Sequence, residues 1–285
     1  MTEQMPPLVS TQWLAAQLGK SDVIVLDASH HLPAANRNAA EEFAAAHIPG
    51  ARFLDLASLF DGESSVPYAM PRPDQLADRL ASLGVADGCA IVLYDDSAIR
   101  TSARAWFVLT ASGWDEVAIL DGGLGKWRDE GLPLEAGEPL ITAAAPATLS
   151  SPRTVRSKAD MLANLESHAE QVLDARSADR VYGEGIDPVH GGQNGRIPGA
   201  LNLPFTDVLN PDGTYKSPQE LRAAFTQAGV DLTRPVVGSC GSGVTASALL
   251  FALHLIGKHD TALYDGSWSE WGADPATPKA QGPET

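Results

Sequence analysis

The chain has little that would tie it to metals, membranes or nucleic acid. Among its 285 residues there are only two cysteines, Cys89 and Cys240. Two thiols so far apart in sequence give no disulfide framework. A free thiol suits a reducing cytosol, so a cytoplasmic location is expected. No Cys-x-x-Cys or His-x-x-x-His spacing occurs, and no metal or other cofactor is expected. Basic residues are scarce: 20 Lys and Arg against 36 Asp and Glu leave a net charge of −16. That balance argues against nucleic acid or an anionic lipid surface as partner. An anionic substrate would have to be drawn in by local arginines. No apolar run is long enough to span a bilayer. The opening Met-Thr-Glu-Gln-Met-Pro-Pro lacks the basic and apolar regions of a signal peptide.

What is there is a sequence written twice. Residues 10–27 match residues 157–174 at a shift of 147 (10 to 157). Each stretch has a Ser N-cap, an amphipathic helix and an apolar strand ending in Val-Leu-Asp, at Asp27 and Asp174. His47-Ile-Pro-Gly-Ala51 matches Arg196-Ile-Pro-Gly-Ala200 at 149 (47 to 196). Leu120-Asp-Gly-Gly123 with Trp127 matches Tyr264-Asp-Gly-Ser267 with Trp271 at 144 (120 to 264). A near-constant shift over the whole chain means two tandem copies of one domain, which also suits the length. Residues 138–156, rich in Pro, Ala, Ser and Thr without helical period, read as the linker. The expected division is therefore 1–137, linker 138–156, and 157–285.

Each copy alternates short apolar runs with amphipathic helices. The runs cover 23–26, 90–94 and 117–120, then 172–173, 236–238 and 262–264. Helices are expected over 73–83 and 218–228, the second opened by Ser217 and Pro218. The order implies an α/β fold: two tandem domains, each a mostly parallel sheet flanked by helices.

The richest local signal is Cys240-Gly-Ser-Gly-Val-Thr-Ala, between an apolar run and an apolar helical stretch. A parallel sheet puts its chemistry at the C-terminal ends of its strands. A helix N-terminus and a glycine-bent loop present N–H groups that suit an anionic sulfur. At the shift of 144 the first copy has Asp96 in place of Cys240, and no glycines in its loop. One copy is then active and the other supporting, with the cleft between them the expected substrate site. Residues present in both copies (Asp27 and Asp174, Asp121 and Asp265, Trp127 and Trp271, Thr101 and Thr245) read as fold elements. Cys89 reads as a core or strand-edge thiol.

These pieces together resemble the two-domain sulfurtransferases of the rhodanese superfamily: the Cys240 loop, His-Ile-Pro-Gly-Ala at 47, Leu-Asp-Gly-Gly at 120, Asp-Ala-Arg at 174, Ile-Pro-Gly-Ala at 197 and Tyr-Asp-Gly-Ser-Trp-Ser-Glu-Trp-Gly at 264. The resemblance implies two rhodanese domains with only the second catalytic. The loop carries no Lys or Arg and resembles that of the 3-mercaptopyruvate sulfurtransferases. The implied route is ping-pong transfer: Cys240 takes the donor's sulfur as a persulfide and passes it to an acceptor such as a thioredoxin-type dithiol, glutathione or cyanide. The N–H groups of Gly241, Ser242, Gly243, Val244 and Thr245 are expected to hold the sulfur, with Ser242 relaying a proton. The resemblance offers His47 to complete the relay, although its partner acid falls near Asn38, an amide. Arg176 is expected to grip the donor carboxylate. Arg196 or His190 stands where a second arginine is usual, Arg100 adds a cation from the first copy's loop, and Arg180 reads as an ion-pair partner. Thiosulfate is the alternative donor, and a non-catalytic sulfur carrier the alternative class. A phosphatase of related fold would need an arginine six residues after the cysteine, where this chain has Ala246.

Overall fold

The computed structural model describes residues 5–152, 154–183, 185–187, 189 and 192–282. His190 lies outside the described residues, as do the first four residues of the N-terminal stretch. The chain divides into two compact units. Unit 1 comprises residues 1–61, 70–152 and 211–215; unit 2 comprises 62–69, 153–210 and 216–285.

Unit 1 holds β1 (Leu8–Val9), β2 (Val23–Asp27), β3 (Arg52–Phe53), β4 (Ala90–Tyr94) and β5 (Val117–Leu120), in the order β1-β5-β4-β2-β3. Unit 2 repeats the plan with β6 (Val155–Arg156), β7 (Gln171–Asp174), β8 (Leu201–Asn202), β9 (Val236–Ser239) and β10 (Thr261–Tyr264), in the order β6-β10-β9-β7-β8. The pairings between these strands are all parallel. The central strands are Val-, Ile- and Leu-rich without alternation, as strands covered on both faces must be. Residues 155–156, expected in the linker, pair with β10 instead.

The helices begin where sequence chemistry dictates. Ser217 accepts the N–H of Glu220 and the Glu220 carboxylate accepts that of Ser217, a capping box that opens Pro218–Gln227. The core of unit 1 gathers Leu14, Val25, Ile48, Val92, Leu120 and Trp127. That of unit 2 gathers Met161, Val172, Ile197, Val237, Tyr264 and Trp271. Trp127 and Trp271 do the same job in each copy, donating their indole N–H to the carbonyls of Pro133 and Pro278. Among the described residues no helix is long and apolar enough to cross a membrane.

The ladders correct one detail of the repeat. Asp27 pairs with Tyr94 in unit 1, and Asp174 pairs with Ser239 in unit 2. Tyr94 and Ser239 are therefore equivalent, a shift of 145 on this strand (94 to 239). The counterpart of Cys240 is Asp95, not Asp96.

Candidate active site

Cys240 is the first residue beyond β9, the central strand of unit 2. Gly238, two residues earlier, lies close under the following helix: a Cβ there would stand 3.1 Å from Leu250. Gly243 opens the helix Val244–Leu255 in the left-handed region, at φ 76°, a conformation that costs a side-chain-bearing residue about 1–2 kcal/mol. The loop is thus three residues from sulfur to helix, and Cys240 is buried.

Three consecutive residues clasp its backbone. The Cys240 N–H donates to Ser267 Oγ at 3.1 Å, Trp268 N–H donates to Cys240 O at 3.0 Å, and Ser269 N–H donates to Gly241 O at 2.8 Å. The loop's own donors stand apart from this network. Among the described residues, the N–H groups of Gly241, Ser242, Gly243, Val244 and Thr245 find no protein acceptor. Buried N–H groups in native proteins nearly always have a partner, so a cluster of open donors around a buried sulfur describes a place for an anion. Ser242 and Thr245 are half-buried beside them.

The sister loop shows what such donors do when filled. Asp95 follows β4, and its carboxylate accepts the N–H of Ser97 at 2.9 Å and of Ser102 at 2.8 Å. Asp95 O accepts from Leu124 N–H as Cys240 O does from Trp268 N–H. The left-handed residue that opens the following helix, Thr101–Ala111, is Arg100, five residues after Asp95. Asp96 takes Arg37 and Arg128 instead, at 2.8 and 2.9 Å.

Arg176 differs from expectation. Its side chain is fully buried and its fork is already occupied: Nη2 meets Asp174 at 2.6 Å and Gly195 O at 2.7 Å, Nε meets both Asp174 oxygens, and Nη1 meets Asp187 at 3.4 Å. The guanidinium also stacks 4.5 Å from the Trp268 ring. Burial works against its charge, but Asp174, Asp187 and the nearby Cys240 more than offset that and hold it above the ordinary arginine range. Arg176 is a buried counter-ion beside the nucleophile rather than an open carboxylate fork. Arg180 is the ion-pair partner expected, held by Asp187 at 2.9 Å, and it retains some exposure.

The residues before the two Ile-Pro-Gly turns are tied into the fold through their backbones. The His47 backbone pairs with Glu135 in both directions, and the Arg196 backbone pairs likewise with Ala280. The buried His47 ring stacks on Phe43, with Nδ1 2.7 Å from Phe43 O. Arg196 donates through Nη1 to Gly282 O and lies over Tyr182. Both positions fasten the segment that follows the last helix of their copy. Among the described residues the buried His47 Nε2 finds no hydrogen-bond partner, so the ring's second nitrogen is not spent on the fold. Asn38 caps the helix Ala39–Ala45. Arg100 lies half-buried against Gly213, within unit 1. Asp27 and Asp174 each accept the N–H two residues on, the shared turn expected of a fold element.

Ser267 and Trp268 were not singled out by sequence reasoning. Their signal was an asymmetry in the repeat: Leu-Asp-Gly-Gly in the first copy against Tyr-Asp-Gly-Ser in the second.

Comparison with known proteins agrees with this architecture. The rhodanese-like domain model matches residues 10–130 and 157–274. The chain is similar to mouse 3-mercaptopyruvate sulfurtransferase, at 39% identity over 93% of this chain and 91% of that one. It is also 38% identical to chicken thiosulfate sulfurtransferase, over 93% and 92%. The crystal structure of SseA from Escherichia coli, described as a 3-mercaptopyruvate sulfotransferase, superposes with a TM-score of 0.84 at 35% identity, covering 93% of this chain and 99% of that one. Two matched domains with one sheet plan, and relatives spanning nearly the whole chain, place the protein in the rhodanese-like domain family.

Proposed function

We propose that the protein is a sulfurtransferase that moves sulfane sulfur from 3-mercaptopyruvate, through a Cys240 persulfide, to a thiol or cyanide, releasing pyruvate. The observation that carries this reading is the open set of N–H groups around Cys240, matched by a sister loop in which a carboxylate fills the equivalent place. A loop built to hold an anion, with a cysteine in the anion's position, suits a nucleophile that alternates between thiolate and persulfide.

In the first half-reaction the Cys240 thiolate attacks the donor's sulfur. A sulfur–sulfur bond forms, the donor's carbon–sulfur bond breaks, and its electron pair leaves on C3 of the pyruvate enolate, which then takes a proton. Ser242, two residues after Cys240 and half-buried, is the hydroxyl that would pass that proton. In the second half-reaction the acceptor attacks the outer sulfur and Cys240 leaves as thiolate. Arg176 has no fork to offer, so the donor's carboxylate falls to Arg180, which is less buried and held on one edge only by Asp187. A thioredoxin-type dithiol is a suitable acceptor, and a reducing cytosol is the compartment in which the Cys240 thiol persists.

Overall identity does not choose the donor, because relatives named for either donor score alike. The neutral loop favours mercaptopyruvate, whose charge lies on a carboxylate away from the reacting sulfur; thiosulfate would bring its charge to the loop itself. The test is kcat/KM for both donors with cyanide as common acceptor. A preference for mercaptopyruvate of about a hundredfold, near 2.7 kcal/mol, is expected. A preference for thiosulfate would overturn the donor assignment, and activity with neither would leave a carrier that accepts one sulfur and stops.

A further inference from the structure

We propose that Ser267 is a positioning residue for sulfur transfer: its hydroxyl fixes the backbone of Cys240 so that the sulfur stands among the open loop amides. This rests on Cys240 being the sulfur-carrying nucleophile. Ser267 is fully buried and sits in the left-handed region, at φ 47°. Few non-glycine residues do so, and the conformation costs about 1–2 kcal/mol. The equivalent residue of unit 1 is Gly123, at φ 59°, for which that conformation is free. A serine retained where glycine is the relaxed choice needs a reason, and its hydroxyl supplies one.

The geometry fixes the hydroxyl's two roles. Oγ donates its hydrogen to Tyr264 O at 2.8 Å, which leaves a lone pair to accept the Cys240 N–H at 3.1 Å. The last strand, β10, is thereby tied to the residue beyond β9. With Trp268 N–H on Cys240 O, both faces of the Cys240 peptide environment are held from one short segment. In unit 1 only the second of these ties exists, from Leu124 to Asp95, and no hydroxyl stands at Gly123. The hydroxyl tie therefore belongs to the copy that carries the nucleophile. It draws the cysteine's own N–H away from the sulfur and leaves the anion to the amides of residues 241–245.

The test uses Ser267→Gly, which removes the hydroxyl and the left-handed strain together, and Ser267→Ala, which removes the hydroxyl alone. Two readouts are taken on the full chain: kcat and KM for sulfur transfer, and the alkylation rate of Cys240 by iodoacetamide across pH, located by peptide mapping with Cys89 as internal reference. For Ser267→Gly, a melting temperature near wild type is expected, with kcat and Cys240 alkylation at neutral pH each lower by about tenfold, donor KM held, and Cys89 alkylation unchanged. Wild-type kcat and a wild-type alkylation profile in Ser267→Gly would overturn the role, whatever Ser267→Ala does. Equal loss at Cys89 and Cys240 would also overturn it, by showing general loosening. Because alkylation needs no donor, absence of sulfur transfer in the wild type would sink the function while leaving this role open to test.

Discussion

The loop after β4 holds the Asp95 carboxylate on the N–H groups of Ser97 and Ser102, whereas the loop after β9 has no acidic side chain to offer its own donors. Unit 1 closes its loop further: Ser29 accepts the N–H of Asp96, and Ser97 donates to His30 O. In unit 2 Arg176 stands at the position of Ser29, two residues past the strand-end Asp, and turns inward to Asp174 and Asp187. The difference teaches that the anion-holding loop is a property of the fold, and that activity depends on which anion occupies it. A fixed carboxylate makes the loop a structural cap. A cysteine, with the loop shortened by two residues, makes it a site that an exogenous sulfur can enter and leave.

The sharpest way to break this contrast is Cys240→Ser. A hydroxyl keeps the size but loses the thiolate, and sulfur transfer should fall to background with no gain of one sulfur in the intact mass after donor treatment. Residual turnover would reject the covalent route and, with it, the contrast between a filled loop and a working one.

Arg176→Met comes next. It takes the cation from the buried Asp174 and leaves Arg180 on Asp187, and losing one partner of a buried ion pair costs about 3–5 kcal/mol. Denaturant unfolding should show that loss. If Arg176 acts as a buried counter-ion, the mercaptopyruvate KM of the folded fraction stays near wild type. A KM raised tenfold or more would return to Arg176 the carboxylate grip that its geometry denies.

Much of the fold is legible in the sequence. The central strands are continuous apolar runs, and the shared Val-Leu-Asp, Ile-Pro-Gly and Asp-Gly pieces fix the repeat. The two-residue edge strands β1, β3, β6 and β8 were not legible, because two residues carry no periodicity. The sequence match puts Asp96 opposite Cys240 because Asp95 stands beside it and the shift changes by one along the repeat; only the ladder decides for Asp95. Arg176 looks open in the sequence because Asp187 lies 11 residues on, in an irregular stretch that sequence spacing does not place. The backbone ties of His47 and Arg196 are not legible in the sequence, because Glu135 and Ala280 are remote in the chain. Ser267 was visible as an asymmetry, but its left-handed backbone was not.

A smaller effect is expected from Asp95→Ala. It leaves the Ser97 and Ser102 N–H groups without their acceptor, at about 1–3 kcal/mol for buried donors that lose a charged partner. Unit 1 should unfold at lower denaturant while kcat/KM for sulfur transfer holds. Unaltered stability would mean that water fills the vacated loop at no cost, and the analogy between the two loops would lose its energetic basis.

The smallest effect lies at the far end of the two equivalent helices. Thr101–Ala111 has Thr110 in its last turn, bonded back to Trp106 O, where Val244–Leu255 has His254. The His254 ring is half-buried, near Phe251 and 4.8 Å from the His259 ring. Burial first, and the neighbouring His259 second, lower its pKa below the ordinary histidine value of 6.5. The faces around it also carry Lys258, which is itself paired with Asp260 at 2.5 Å. With the folded pKa lowered, the unfolded chain binds the extra proton first as pH falls. The neutral ring therefore contributes stability above pH 6.5, and that contribution is lost as pH drops through the folded value. Solvent screening keeps the effect under about 1 kcal/mol. Unfolding midpoints for unit 2 should decline between pH 7 and pH 5 in the wild type, and decline less in His254→Thr, the residue that unit 1 uses. Equal pH dependence in both would show that the acid sensitivity of unit 2 comes from its carboxylates, which titrate in the same direction, and not from this histidine pair.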